Sequence, residues 1–292
     1  MPNHITNIIQ IDADADKVAE ILAAVQADDA GLGSIDFNKL KPMPEFLTNT
    51  EAGSMTDKAV EVYLTYINPA VDYFGPKSDV DFSSVESLDR LNRYNAGADE
   101  FFGIYKMFND TKRFGRFDPF LPPEKIKSFE ESIEQCEWQN CHSLSDVIDY
   151  ADTLKTAIQE YGSMDWYEWS IANWGTKWNA YDFAPYSGSS SITFSTAWAS
   201  VPQILTLLSE KYPEVIFEYS WADEDIGSNV GTATYQYGEM TESHIPDNGS
   251  VEAYEMAAEI RCEDLAEDRS LYLTPDGSAY EYREEECEEL EV

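Results

Sequence analysis

Three consecutive pieces of the chain decide its fold: Ile192-Thr193-Phe194-Ser195-Thr196-Ala197-Trp198, Val201-Pro202-Gln203-Ile204-Leu205-Thr206-Leu207-Leu208-Ser209-Glu210-Lys211-Tyr212 and Val215-Ile216-Phe217-Glu218-Tyr219-Ser220-Trp221. The first and third alternate apolar with polar residues and are rich in β-branched and aromatic side chains, as half-buried strands require. The second repeats apolar residues at helical spacing, carries proline in its first turn and is stopped by Pro213. Further on, Gly231-Thr232-Ala233-Thr234-Tyr235-Gln236-Tyr237-Gly238 reads as another alternating strand, and 251–264 as a helix. Tyr272, Tyr280 and Tyr282 then flank a hairpin across Asp276-Gly277. The order strand, helix, strand, strand, helix, strand is that of a ferredoxin-like split βαβ unit. It predicts an α+β fold over residues 190–283, with an antiparallel sheet and helices on one face.

Towards the N-terminus, His4-Ile5-Thr6-Asn7-Ile8-Ile9-Gln10-Ile11 reads as a strand and Lys17 to Val25 as a helix. Ser34-Ile35-Asp36-Phe37-Asn38 reads as a second strand, ended by Pro42 and Pro44. This strand-helix-strand segment spans 1–52 and either adds a half-unit or docks on the same sheet. Residues 53–189 read as a mainly helical insertion ending in a Trp-rich segment. Its clearest helix follows Ser143, caps with Asp146 and stops at Gly162. Residues 284–292 are an acidic tail.

The 292 residues carry 56 Asp+Glu against 19 Lys+Arg, a formal net charge of -37, with 43% apolar residues to build a core. So strong a negative field repels phosphate backbones and argues against direct nucleic-acid binding. The charge is uneven: beyond Lys211 there are 23 acids and only three bases, Arg261, Arg269 and Arg283. No window is long and apolar enough for a membrane span, and no basic leader opens the chain, so a cytoplasmic protein is expected. Cys136, Cys141, Cys262 and Cys287 are too few and too scattered for a disulfide framework.

The chemical motifs are weak. Cys136, Cys141 and His142 suggest zinc but find no second close ligand pair, so no metal and no cofactor is expected. Asp12, Asp14 and Asp16 copy the opening of a calcium loop, yet Lys17 and Ala23 stand where glycine and glutamate are needed. Gly31-Leu32-Gly33-Ser34 lacks the rest of a phosphate loop, and no nucleophile motif surrounds any of the three histidines. No catalytic residue is assigned. Trp166, Trp174, Lys177 and Trp178 form a candidate ligand platform, because aromatic faces stack rings; packing of the same indoles in a core is the favoured alternative. Lys106, Lys112, Arg113, Arg116, Lys125 and Lys127, interleaved with Phe114, Phe117 and Phe120, form a basic island that could meet nucleic acid or dock the acidic third of this chain or of a second copy; the whole-protein field favours the second.

Ile35-Asp36-Phe37-Asn38-Lys39-Leu40-Lys41-Pro42-Met43-Pro44-Glu45 resembles the YubB-like family of phage and plasmid proteins. So do Asp165-Trp166-Tyr167-Glu168-Trp169 with Asn173-Trp174-Gly175-Thr176-Lys177-Trp178-Asn179, the Met1-Pro2-Asn3 start and Phe194 to Trp198. The resemblance covers both ends of the chain rather than the insertion. It implies a ferredoxin-like domain and a mobile-element origin, and brings no activity with it.

Candidate partner-binding residues are therefore acidic: Asp223, Glu224, Asp225, Glu252, Glu255, Glu259, Glu263, Glu267 and Asp268. Glu252, Glu255 and Glu259 share one face of the predicted helix at a spacing that weakens it, so something other than helix stability favours them. A net -37 matches the phosphate charge of about 20 base pairs of duplex DNA. The leading expectation is a non-enzymatic acidic inhibitor, a DNA mimic that binds a basic host nuclease, restriction enzyme or CRISPR effector. Three other readings remain open here: an enzyme or small-ligand binder using the Trp platform, a homo-oligomeric structural protein, and an acidic surface that serves solubility alone.

Overall fold

Strand β1 (His4–Asp12) buries Ile5, Asn7, Ile9 and Ile11 on one face and leaves the residues between them half-buried. In the computed structural model, which describes residues 3–69, 85–112, 115–136 and 138–283, β1 lies inside a five-stranded sheet. Its companions are β2 (Ser191–Ala197), β3 (Ile216–Asp223), β4 (Gly231–Gln236) and β5 (Glu239–His244). The order is β2-β1-β3-β4-β5, and every neighbouring pair is antiparallel. Because β1 opposes both β2 and β3, those two run parallel to each other around it, joined by helix α8 (Pro202–Lys211): a split βαβ unit. The chain thus adopts the α+β, ferredoxin-like class that its pattern predicts, with the N-terminal strand docked into the same sheet.

One buried polar network locks β1 between its neighbours. Asn7 is fully buried; its Nδ2 donates to Thr196 Oγ1 (2.9 Å) and to the Ile5 carbonyl (2.8 Å). Asn7 Oδ1 accepts from the Tyr219 hydroxyl, whose oxygen in turn accepts from Val201 N at the start of α8. Every group in it is satisfied, which a buried polar cluster requires to be stabilising.

Helix α9 (Val251–Arg261) departs from the expected one-sided arrangement. It packs Ala253, Ala257 and Ile260 on Ala222, Val230 and Ile8, and Ile8 and Ala222 point away from the face that carries Ile9 and Tyr219. Helices therefore cover both faces, with α9 over part of the second.

Two further expectations are corrected. Residues 34–38 are not a strand: Phe37–Lys39 is a 3-10 turn, because the Phe37 amide is taken by Asn179 Oδ1 and the Asn38 amide by Asp36 Oδ1. Among the described residues, the last strands, β6 (Leu271–Leu273) and β7 (Tyr280–Tyr282), pair only with each other; the fifth strand of the main sheet is β5. Tyr237 (φ 56°) and Gly238 (φ 77°) make the tight turn that starts β5. Helix α1 (Ala15–Val25) is capped by Asp14, whose carboxylate accepts from Lys17 N, so the aspartate run serves a helix start.

The chain divides into two units, residues 1–42 with 170–292, which hold both sheets, and residues 43–169, whose described residues are mainly helical. The second contains α2 (Glu45–Thr48), α3 (Ser54–Ile67), α4 (Val85–Thr111), α5 (Pro123–Gln135) and α6 (Leu144–Tyr161). The boundary falls within α7 (Trp166–Asn173). Helix α3 serves two apolar clusters: Val60, Tyr63 and Leu64 face Phe108, Phe117 and Leu154, and Ala59 and Val62 face Phe129, Ile133 and Trp138. Ser143 caps α6 and Gly162 (φ 72°) ends it, as their sequence positions predict. Among the described residues no helix is long and apolar enough to cross a membrane.

Candidate functional site

The second face of the five-stranded sheet is only partly covered, and its exposed part is polar by register. One row across the strands reads Ser191, Gln10, Glu218, Thr234 and Glu242, and the next reads Thr193, Ile8, Ser220, Thr232 and His244. The part spanning β3, β4 and β5 forms a shallow groove of about 290 Å³ lined by Glu218, Ser220, Thr232, Thr234, Glu242 and His244. At its upper end His244 Nε2 lies 2.7 Å from Glu252 Oε1 and ties the edge strand to α9. Among the described residues no group of three or more His, Cys, Asp or Glu is placed to hold a metal ion.

Helix α9 turns its carboxylates outward because its small buried residues take the sheet side. Glu252, Glu255 and Glu259 are exposed on it, with Asp225, Glu267 and Asp268 exposed nearby in sequence. The three arginines beyond Lys211 do not neutralise this surface. Arg261 Nε (2.8 Å) and Arg269 Nε (2.7 Å) both donate to Glu263, and Arg283 lies 5.5 Å from the Tyr272 ring centroid. Among the described residues, no Lys or Arg is in ion-pair distance of Glu255, Glu259, Glu267 or Asp268.

Two acids predicted to face a partner are structural instead. Asp223 is only 6% exposed; Asn3, Asn229 and the Asp225 amide all donate to its carboxylate, so it organises the loop after β3. Glu263 is clamped by Arg269 and Arg261, which hold its carboxyl below the usual range. Glu224 is half-buried, its amide donating to the His4 carbonyl.

Of the candidate Trp platform, Trp174 takes the packing role that the sequence reading favoured. Trp174 is buried, its Nε1 donates to the Lys41 carbonyl, and its ring meets Phe37 edge-on, so it offers no face to a ligand. Lys177 lies over both Trp178 (4.6 Å) and Trp198 (4.7 Å), a cation held between two indoles. Trp166 is half-buried in the helical unit, with its amide on Thr50 Oγ1. In the basic island, Lys106 pairs with Asp110 and Lys127 with Glu131 four residues along their own helices, and Lys112 pairs with Asp57 of α3. Arg113 and Phe114 lie outside the described residues, as do Cys287 and the 284–292 tail. Cys141 is buried, and burial pushes its thiol up to about 11. The groove itself escaped sequence reasoning because β5 has no buried alternate: all six of its residues are exposed.

No curated protein matches the chain. A crystal structure of a protein api92 from Yersinia pseudotuberculosis aligns over 85% of this chain and 99% of its own, at 8% identity and a TM-score of 0.34. Residues 173–264, which contain β2 to β5, α8 and α9, match the family model described as a ferredoxin-like domain in Api92-like protein, in keeping with the ferredoxin-like fold of this part of the chain.

Proposed function

We propose that this chain is a binding protein that engages a basic, nucleic-acid-handling partner through the carboxylates of α9 and the neighbouring sheet face, in the place a nucleic-acid backbone would take. The observation that carries this reading is the division of charge in the C-terminal third: the arginines are engaged with Glu263 and Tyr272, while Glu255, Glu259, Glu267 and Asp268 remain exposed. Carboxylates in that state attract a basic surface at long range and raise its association rate. The YubB-like resemblance supports a mobile-element setting, with a host nuclease, restriction enzyme or CRISPR effector as the class of target and inhibition in the host cytoplasm as the outcome.

The test is a pull-down from bacterial lysate with the full chain and with a variant carrying Gln at 252, 255, 259, 267 and 268, at low and high salt, followed by competition with duplex DNA. The reading expects a basic nucleic-acid-handling protein that is lost with the variant, weakened by salt and displaced by DNA. Capture that DNA does not compete would end the mimicry reading.

A further inference from the structure

Among the described residues nothing pairs with the outer edge of β5. Its six residues are all exposed, it pairs only with β4, and among the described residues no backbone hydrogen bond reaches its other side. The opposite edge of the sheet differs, since Tyr181 and Ala184 bond to β2 through Ser195 and Thr193. A row of open N–H and C=O groups is a template for another strand.

Register states which side chains that strand would meet. Glu239 and Glu242 stand opposite Gln236 and Thr234, on the groove face with Glu218 behind them, whereas Met240 stands opposite Tyr235 on the other face. Met240 is 55% exposed, and Tyr237 and Ile245 beside the strand ends are exposed as well. A second copy of this edge is disfavoured, because antiparallel edge-to-edge pairing about the middle of β5 would set Glu239 of one copy beside Glu242 of the other, and like charges across a ladder repel. The complementary occupant alternates basic and apolar residues, its Lys or Arg towards the groove and its apolar side chains towards Met240.

We propose that β5 receives a basic, amphipathic extended segment of the partner as a sixth strand of the sheet. This rests on the acidic-binding reading above and adds the mode of recognition: backbone pairing for affinity and the Glu239 and Glu242 carboxylates of β5 for sign selectivity. The register shift at Thr234/Tyr235 brings both glutamates, three residues apart on β5, to the groove face.

The experiment uses the full chain and an eight-residue synthetic probe of alternating lysine and valine, with amide hydrogen exchange as the readout. Three controls accompany it: the same peptide N-methylated at alternate residues, its alternating Glu/Val counterpart, and the Glu239→Lys/Glu242→Lys variant of the protein. The Lys/Val probe is expected to slow exchange of the β5 amides that point away from β4 by at least about tenfold. The N-methylated peptide should lose that protection, and the charge-reversed protein should prefer the Glu/Val peptide. Equal binding of the N-methylated peptide would overturn strand addition and leave the acidic-binding reading standing. Absence of salt-sensitive binding by either lysine peptide would count against both.

Discussion

The hydroxyl of Tyr219 donates to Asn7 Oδ1 at 2.6 Å between β3 and β1, inside a core where both side chains are buried. The same oxygen accepts from Val201 N, so one phenol joins the sheet to the start of α8. Replacing Tyr219 by Phe leaves Asn7 Oδ1 and the Val201 amide without that partner. The expected loss is about 1–3 kcal/mol per abandoned group, less whatever the site recovers by relaxing. Denaturant unfolding of the variant should show it, and a change below about 0.5 kcal/mol would mean that water or another group replaces the phenol.

The helical unit should lose stability as pH rises. Burial pushes the Asp165 carboxyl up to about 6, and burial together with the Asp165 charge pushes Glu168 up to about 7. In the unfolded chain both titrate near ordinary carboxylate values, so between about pH 4 and 7 the folded state binds more protons. Their contribution is therefore complete below about pH 4 and is lost through pH 6 to 7. Glu168→Gln keeps an oxygen for the Met164 amide, which donates to Oε2 at 3.0 Å. Thermal unfolding from pH 5 to 8 should show a shallower decline for this variant and a higher midpoint at pH 8; identical slopes would remove burial of Glu168 as the cause.

Gly227 has φ +82°, and a Cβ there would lie 2.6 Å from Tyr254 Cε1 on α9. Gly227→Ala combines left-handed backbone strain with displacement of that ring. A loss of about 1–3 kcal/mol is expected in equilibrium unfolding. Unchanged stability would show that the Tyr254 ring swings aside without cost.

The carboxylates of α9 should be dispensable for folding. Glu255 and Glu259 are like charges four residues apart on an exposed face, so Glu255→Gln with Glu259→Gln should leave stability unchanged or raise it by about 0.2–0.5 kcal/mol. Binding of the basic partner should fall in the same protein. A drop in unfolding free energy comparable to a core mutation would mean that these side chains hold the fold together.

Thiol chemistry separates the cysteines. In a Cys287→Ser chain, Cys136 and Cys262 are exposed and should react readily with a thiol reagent, whereas Cys141 should react only on unfolding. Rapid labelling of three thiols in the native protein would contradict the packing of Cys141 beside Trp138 and Val147.

Local pattern determined much of this protein. The alternation of β1 to β4, the apolar spacing of α8 and α9, the Ser143 cap and the Gly162 stop each record a side chain's exposure or a backbone angle, and both leave a trace within a few residues. The acidic C-terminal third was legible for the same reason, since charge is carried by composition. Tertiary structure alone decided that β1 enters the sheet between β2 and β3, because nothing in residues 4–12 encodes a partner about 190 residues away. It also decided that Asp36 and Phe37 turn instead of extending, through one side chain, Asn179, that takes the Phe37 amide. Strand β5 had to wait for the structure because an edge strand exposed on both faces has no buried side to impose a period, and Tyr237 is not a residue that announces a left-handed turn. Which carboxylates face outward was likewise a tertiary matter: Asp223 and Glu263 have the same charge as Glu255 and Glu259, and only the groups packed around them set their roles apart.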